Sequence, residues 1–235
     1  MQKVAYITGG SKGIGLGIAE AMLQEGMKVA ISGRNEEALQ EALHQLSKYS
    51  KGDLLAIPSD VRKYEDEQAA IQKVIDTWGR LDVCIANAGI GKFAPIEDLT
   101  TEDWNGVIDT NLTGVFHTVK AAIPALKSSK GYIITIASLA GTNFFKRGAA
   151  YNASKFGLVG FTQAIMLDLR EYGVKVSTIM PGSVATYFNG RTPSEADAWK
   201  IQPEDIGQMV MDLLKMNPRT LPSKVEVRPA IPVKR

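Results

Sequence analysis

Short runs of β-branched and other apolar residues alternate along the chain with longer stretches whose apolar positions recur at helical spacing. The runs at 4–8, 28–33, 54–59, 83–86, 132–137, 175–180 and 224–227 read as strands; the stretches at 13–25, 35–48, 63–78, 104–126, 148–172 and 203–216 read as amphipathic helices. Strand and helix taking turns predicts right-handed βαβ units, and so an α/β fold built on a doubly wound parallel sheet with helices on both faces. Runs such as Ile133-Ile134-Thr135-Ile136-Ala137 lack in-and-out alternation, as strands covered on both faces do. No repeat, composition shift or linker interrupts the pattern, so residues 1–235 read as one domain.

Charge and composition narrow the partners. Against 25 Asp+Glu stand 27 Lys+Arg, a net +2, which gives no electrostatic footprint for nucleic acid or an anionic membrane; the terminal pair Lys234-Arg235 is a trivial exception. No stretch approaches the ~18 apolar residues of a membrane span, and Gly9-Gly10 interrupts the N-terminal run before a secretory h-region develops. The expected address is the cytoplasm. A single cysteine, Cys84, cannot form an internal disulfide, and with His44 and His117 it cannot build a zinc site, so no metal is expected.

Ligands of open α/β sheets sit beyond the carboxyl ends of the strands, so the residues just after each strand are the candidate site. After the first strand comes Thr8-Gly9-Gly10-Ser11-Lys12-Gly13-Ile14-Gly15, a glycine-rich turn opening a helix, where close backbone and free N–H groups favour phosphate. Its spacing is Gly9-xxx-Gly13-x-Gly15 rather than G-x-G-x-x-G, because Ile18 stands three after Gly15; a tight strand-to-helix turn would also account for it. The second strand ends in Gly33-Arg34-Asn35, where an NAD enzyme places an acid on the ribose 2′-hydroxyl. A guanidinium there, with Lys12 expected at the same site, suits a 2′-phosphate and favours NADP(H) over NAD(H), the bland alternative being two solvated surface cations.

Ser138 follows the fifth run, and Tyr151 and Lys155, four apart, share one face of the next helix. A phenol titrates near ~10 unless a cation favours phenolate, and Lys155 is expected to supply that cation. Ser138 then holds a carbonyl oxygen while Tyr151 protonates it. Alone, a Tyr-xxx-Lys pair is far more often a packing tyrosine and a solvated lysine.

Together these residues resemble the short-chain dehydrogenase/reductase family over essentially the whole chain from Lys3 to Val227, in pattern closest to 3-oxoacyl-acyl-carrier-protein reductases. The motifs are the glycine loop Thr8 to Gly15, Asp60-Val61, Asn87-Ala88-Gly89, Asn111, Ser138, Tyr151-xxx-Lys155 and Pro181-Gly182-Ser183-Val184-Ala185-Thr186. The resemblance implies a Rossmann-type sheet and reversible hydride transfer between a nicotinamide and a carbonyl or secondary alcohol, with a small-molecule carbonyl, alcohol or acyl thioester as substrate. It further implies that Asp60 and Val61 hold the adenine, that Asn87 to Gly89, Pro181 and Gly182 line the cofactor cleft, and that Lys155 binds the nicotinamide ribose. Asn111 would support a proton-relay water, Val184 and Thr186 would contact the carboxamide, and a homo-oligomer, dimer or tetramer, would form. Three features depart from the pattern: Ala86 replaces the first Asn of the usual NNAG, the segment 187–203 is short for a substrate lid, and the chain lacks the Gly-Gly ending of the acyl-carrier-protein reductases.

Two other classes fit parts of the pattern. Gly9-Gly10-Ser11-Lys12-Gly13 satisfies the G-x-S-x-G elbow of α/β hydrolases, but after the wrong strand and with no late histidine. A non-catalytic NADP(H)-binding sensor would keep the fold, though not the joint presence of Asn111, Ser138, Tyr151 and Lys155.

Overall fold

The apolar runs become the seven strands of one parallel sheet: β1 Val4–Thr8, β2 Lys28–Gly33, β3 Leu54–Pro58, β4 Val83–Ala86, β5 Tyr132–Ile136, β6 Lys175–Pro181 and β7 Lys224–Val227. The computed structural model describes residues 2–49 and 52–231, which leaves Lys234-Arg235 outside the described residues. Strand order is β3-β2-β1-β4-β5-β6-β7, so the winding reverses between β1 and β4, paired in parallel at Ala5/Val83, Tyr6/Cys84 and Ile7/Ile85. A crevice opens at such a reversal, beyond the strand ends.

Helices α1 Gly13–Gln24, α2 Glu36–Leu46 and α7 Pro203–Lys215 belong to one layer, and α3 Tyr64–Trp78, α5 Gly114–Ser129 and α6 Ala149–Leu169 to the other. Successive strand side chains point to opposite faces. Ala5 and Ile7 therefore join Ile18, Met22, Leu39, Ile206 and Val210 in one core, while Val4 and Tyr6 join Val74, Val119, Leu126 and Leu158 in the other. The helix α1 lies hard against α7: a Cβ on Gly207 would come within 2.6 Å of the Gly17 carbonyl, and a Cβ on Gly17 within 2.6 Å of Pro203 backbone.

The expected helix over 104–126 is three pieces. Thr100 caps a shorter helix α4, Thr101–Ile108, by accepting from the Asp103 N–H at 3.1 Å; a π-helical turn, Asp109–Thr113, follows and then α5. Periodicity cannot reveal the wide turn, because its cause is tertiary: Asn111 sits inside it, fully buried, with its amide fastened to the backbone of Ile90. Such turns concentrate at functional sites.

Candidate active site

The crevice is laced together at its floor. The Thr8 hydroxyl at the end of β1 accepts from the backbone N–H groups of Asn87 (3.0 Å) and Ala88 (3.1 Å) just past β4. In return the Asn87 amide donates to the carbonyls of Thr8 and Gly9 at 2.9 and 3.0 Å. Only glycine suits the loop above. Gly9 and Gly13 have φ of +63° and +56°, and a Cβ on Gly15 would stand 2.4 Å from the Gly9 carbonyl oxygen. Among the described residues no side chain caps α1, so its first N–H groups and the positive end of its dipole are left to whatever enters the crevice.

Three adjoining hollows run along the strand ends. The first, about 380 Å³, is lined by Gly9, Ser11, Gly33, Arg34, Asn35, Asp60, Val61, Ala88 and Gly89. Asn35 also caps α2, its oxygen accepting from the Ala38 N–H at 2.7 Å. Arg34 makes no hydrogen bond or ion pair among the described residues, a cation held ready for a ligand anion; its charge and the Arg62 guanidinium hold the Asp60 carboxyl below the usual carboxylate range, Arg62 being the larger cause and only 2.5 Å away. The second hollow, about 160 Å³, is lined by Gly9, Lys12, Gly13, Ile14, Asn87, Ala88, Gly89, Tyr151, Lys155 and Thr186. Exposed Lys12 lines this hollow with Tyr151 and Lys155, and Ser11 lines the adjoining Arg34 hollow; the backbone at Lys12 is extended, φ −160°, so the two neighbours point to opposite sides.

The third hollow, about 430 Å³, is shared by Ile14, Ser138, Tyr151, Pro181, Gly182, Val184 and Thr186. Val184 is fixed there by a parallel bridge to Ile201. A phosphorylated dinucleotide fits the first two hollows by the chemistry of what lines them, an uncapped helix start over two positive-φ glycines and an unpartnered guanidinium at one end.

Tyr151 and Lys155 enter from the first turns of α6. Lys155 is only 4% exposed and donates to the Ile136 carbonyl at 3.0 Å; burial holds its ammonium down from 10.5 to about 8. Burial pushes the Tyr151 phenol up, and a hydrogen bond from Ser138 pulls it partly back. That reverses the expectation of a phenol depressed by Lys155. The ammonium lies 5.8 Å from the Tyr151 ring centroid, occupied by a backbone carbonyl, and desolvation of the phenol outweighs it. Asn111 is at the site, but both ends of its amide are engaged: the oxygen accepts from Ile90 N–H at 2.8 Å, and the nitrogen donates to Ile90 carbonyl (2.9 Å) and Ser154 hydroxyl (3.1 Å). Its side chain ties the loop after β4 to α6. Gly89 completes this wall, since a Cβ there would meet the Asn111 oxygen at 3.3 Å and the Lys155 nitrogen at 3.6 Å.

Sequence reasoning missed the floor residue Thr8, the amide clasp of Ser154, and the far wall of the third hollow, formed by Phe93, Phe145, Phe188, Asn189, Arg191, Asp197 and Lys200. It also missed fully buried Glu67 on α3, which accepts from Ser59 (2.6 Å) and lies 3.0 Å from the Tyr6 hydroxyl, itself 2.9 Å from Ser32. Burial raises the Glu67 carboxyl, and its bonds bind together the strand ends that carry Arg34 and Asp60. Only an acid in an otherwise apolar helix face signals it. Ser11 has no hydrogen bond to either histidine among the described residues; His117 sits 3.0 Å from the Val61 carbonyl instead.

Comparison with known proteins gives a consistent picture. The family model described as short chain dehydrogenase matches residues 3–197. An uncharacterised oxidoreductase of Staphylococcus aureus strain MRSA252 is 36% identical over 228 residues, 97% of each chain. Among solved structures, an alcohol dehydrogenase from the archaeon Thermococcus sibiricus, complexed with 5-hydroxy-NADP, superposes with a TM-score of 0.93 at 29% identity over 100% of both chains. A 3-ketoacyl-(acyl-carrier-protein) reductase from Brucella melitensis complexed with NADH gives 0.88 at 24% identity over 97% of both, a likeness of fold.

Proposed function

Because the chain belongs to the short-chain dehydrogenase family, we propose that it is an NADP(H)-dependent carbonyl reductase acting reversibly on a carbonyl/alcohol pair. The observation that carries the reading is the Ser138-Tyr151 pair in a hollow continuous with the Lys155 and glycine-loop cleft at the switch point of the sheet.

When bound, the nicotinamide supplies or accepts the hydride at the carbonyl carbon. The chain's own residues handle everything else. Gly9, Gly13 and the start of α1 receive the phosphates, Arg34 the 2′-phosphate, and Asp60 and Val61 flank the adenine; Pro181, Gly182, Val184 and Thr186 line the nicotinamide end. Ser138 donates to the substrate oxygen and Tyr151 gives it a proton as negative charge develops there. A phenol carries its proton at neutral pH at its ordinary value, and burial of Tyr151 favours that form, so the proton is there to give in the reducing direction. Lys155, which lines the glycine-loop hollow with Tyr151, binds the ribose, while Asn111 acts by positioning the loop after β4. The Arg34 hollow supports NADP(H), as does the cofactor bound to the Thermococcus enzyme. A cytoplasmic homo-oligomer, dimer or tetramer, completes the proposal, supported by the large exposed side chains Trp104, Phe116, Phe156 and Leu167 on α4 to α6.

Replacing Tyr151 by Phe removes the acid and little else. Reduction of a good carbonyl substrate falls about 10² to 10⁴-fold while NADPH affinity, read by fluorescence titration, stays near wild type. If more than half of kcat survives, Tyr151 is not the acid. Tight NADPH binding by the wild type with no turnover across ketones, aldehydes, quinones and 3-oxoacyl thioesters would instead identify a sensor.

A further inference from the structure

The far wall of the 430 Å³ hollow is built for a particular kind of carbonyl compound. Three phenylalanines from three separate loops surround the Tyr151 ring: Phe93 at 5.5 Å between centroids, Phe188 at 5.6 Å and Phe145 at 6.5 Å, all inclined by 50° or more. They also touch one another, with Phe93 lying 5.7 Å from Phe145 and 6.3 Å from Phe188. Two glycines leave room for these rings. A Cβ on Gly91 would stand 2.6 Å from Phe188 and 2.8 Å from Phe93, and one on Gly148 would stand 2.6 Å from Phe145. Inclined rings packed about the Tyr151 ring and lining the hollow it shares with Ser138 offer faces and edges to a flat unsaturated body, an arrangement that contributes beyond the burial of apolar area.

The same hollow is also lined by cations. Lys200 is paired with Asp197 at 2.5 Å, and Arg191, the second cation near that carboxylate, has no hydrogen bond or ion pair of its own among the described residues. Two cations against one carboxylate leave a net positive charge, with a guanidinium free for a planar anion.

Resting on the reductase reading above, we propose that the substrate is an aryl or conjugated oxo acid: a carbonyl at Ser138 and Tyr151, its flat body among Phe93, Phe145 and Phe188, and its carboxylate on Arg191. The reaction is unchanged: the carbonyl carbon takes the hydride, its oxygen takes the Tyr151 proton, the ketone is reduced to the alcohol and the nicotinamide is oxidised.

The test uses the full chain saturated with NADPH and compares 3-benzoylpropionate, its methyl ester, 4-oxopentanoate and a 3-oxoacyl thioester by initial rate. Binding of the unreactive 4-phenylbutanoate is followed by saturation-transfer NMR. A charge-assisted contact corresponds to about 10-fold or more and a ring contact to about 2- to 10-fold, so kcat/KM for the aryl oxo acid should exceed that for the ester by about 10-fold and that for the aliphatic acid by about 2- to 10-fold. Arg191→Gln should collapse the acid-to-ester ratio, and Phe188→Ala the aryl-to-aliphatic ratio. Equal rates for ester and acid, or preference for the aliphatic acid or the thioester, overturn the proposal. Should none be reduced, 4-phenylbutanoate binding that Arg191→Gln weakens upholds the cleft while overturning the reductase reading. Absence of both binding and turnover overturns the proposal.

Discussion

Arg34 shows how much one side chain can decide. It stands exposed after β2 with no hydrogen bond or ion pair among the described residues, beside Gly33, where a carboxylate would repel a 2′-phosphate. Removing its charge in Arg34→Ala should lower the ratio of kcat/KM for NADPH over NADH by about 10-fold, less at high salt, because an exposed pair is screened. Adding Gly33→Asp should turn the remaining preference toward NADH. An unchanged ratio in Arg34→Ala would show that the 2′-phosphate is not read here. The four-residue spacing of Tyr151 and Lys155 was legible in the chain because a helix converts spacing into a shared face. The direction of the Tyr151 shift was not, since desolvation depends on what covers the ring, and Phe93, Phe145 and Phe188 arrive from distant loops.

Between elements, a tight constraint is the crossing of α1 and α7. Gly17 and Gly207 let the two backbones meet, and Cα-substituted residues have no room there. Gly207→Val should therefore cost roughly 1 to 3 kcal/mol by forcing the helices apart, seen as a lower urea midpoint with an unchanged m value. A midpoint equal to wild type would mean that the crossing yields without strain. Helical periodicity marks Ile206, Val210 and Leu213 as a buried face, yet nothing local distinguishes these glycines from weak helix formers. The π turn at Asp109–Thr113 is invisible for a similar reason: it exists so that Asn111 can reach Ile90, twenty-one positions away in sequence.

For the molecule as a whole, the buried Lys155 gives folding stability a distinctive dependence on pH. Below about 8 both folded and unfolded chains carry its proton, and the fold bears the full cost of a desolvated ammonium. From there to 10.5 the folded chain has released the proton while the unfolded chain keeps it, so stability from this group rises with pH. A depression from 10.5 to about 8 corresponds to about 3 kcal/mol. Relative to Lys155→Met, the wild type should thus gain about 2 to 3 kcal/mol between pH 7 and 10 in urea unfolding, the other buried acids Tyr6 and Cys84 being common to both. A difference independent of pH would mean that the ammonium is not desolvated in the fold.

The chain by itself determined the sheet and its ligand edge. Short apolar runs alternating with helical periodicity read as strands covered on both faces, βαβ connections have one hand, and residues that follow such strands gather at one rim; this placed Gly9 to Gly15, Arg34 and Ser138 together, and the resemblance to the short-chain dehydrogenase/reductase family added Asp60, Asn87 to Gly89 and Pro181 to Thr186. Tertiary structure decided the rest: that Asn111 spends its amide on Ile90, that Glu67 joins Ser59 beyond β3 to Tyr6 of β1, and that three phenylalanines pack about Tyr151. The physical reason is range. Periodicity and turn chemistry act over a few residues and can be read off the chain, whereas burial, and with it every shifted pKa and every substrate contact, is set by groups that only folding brings within reach.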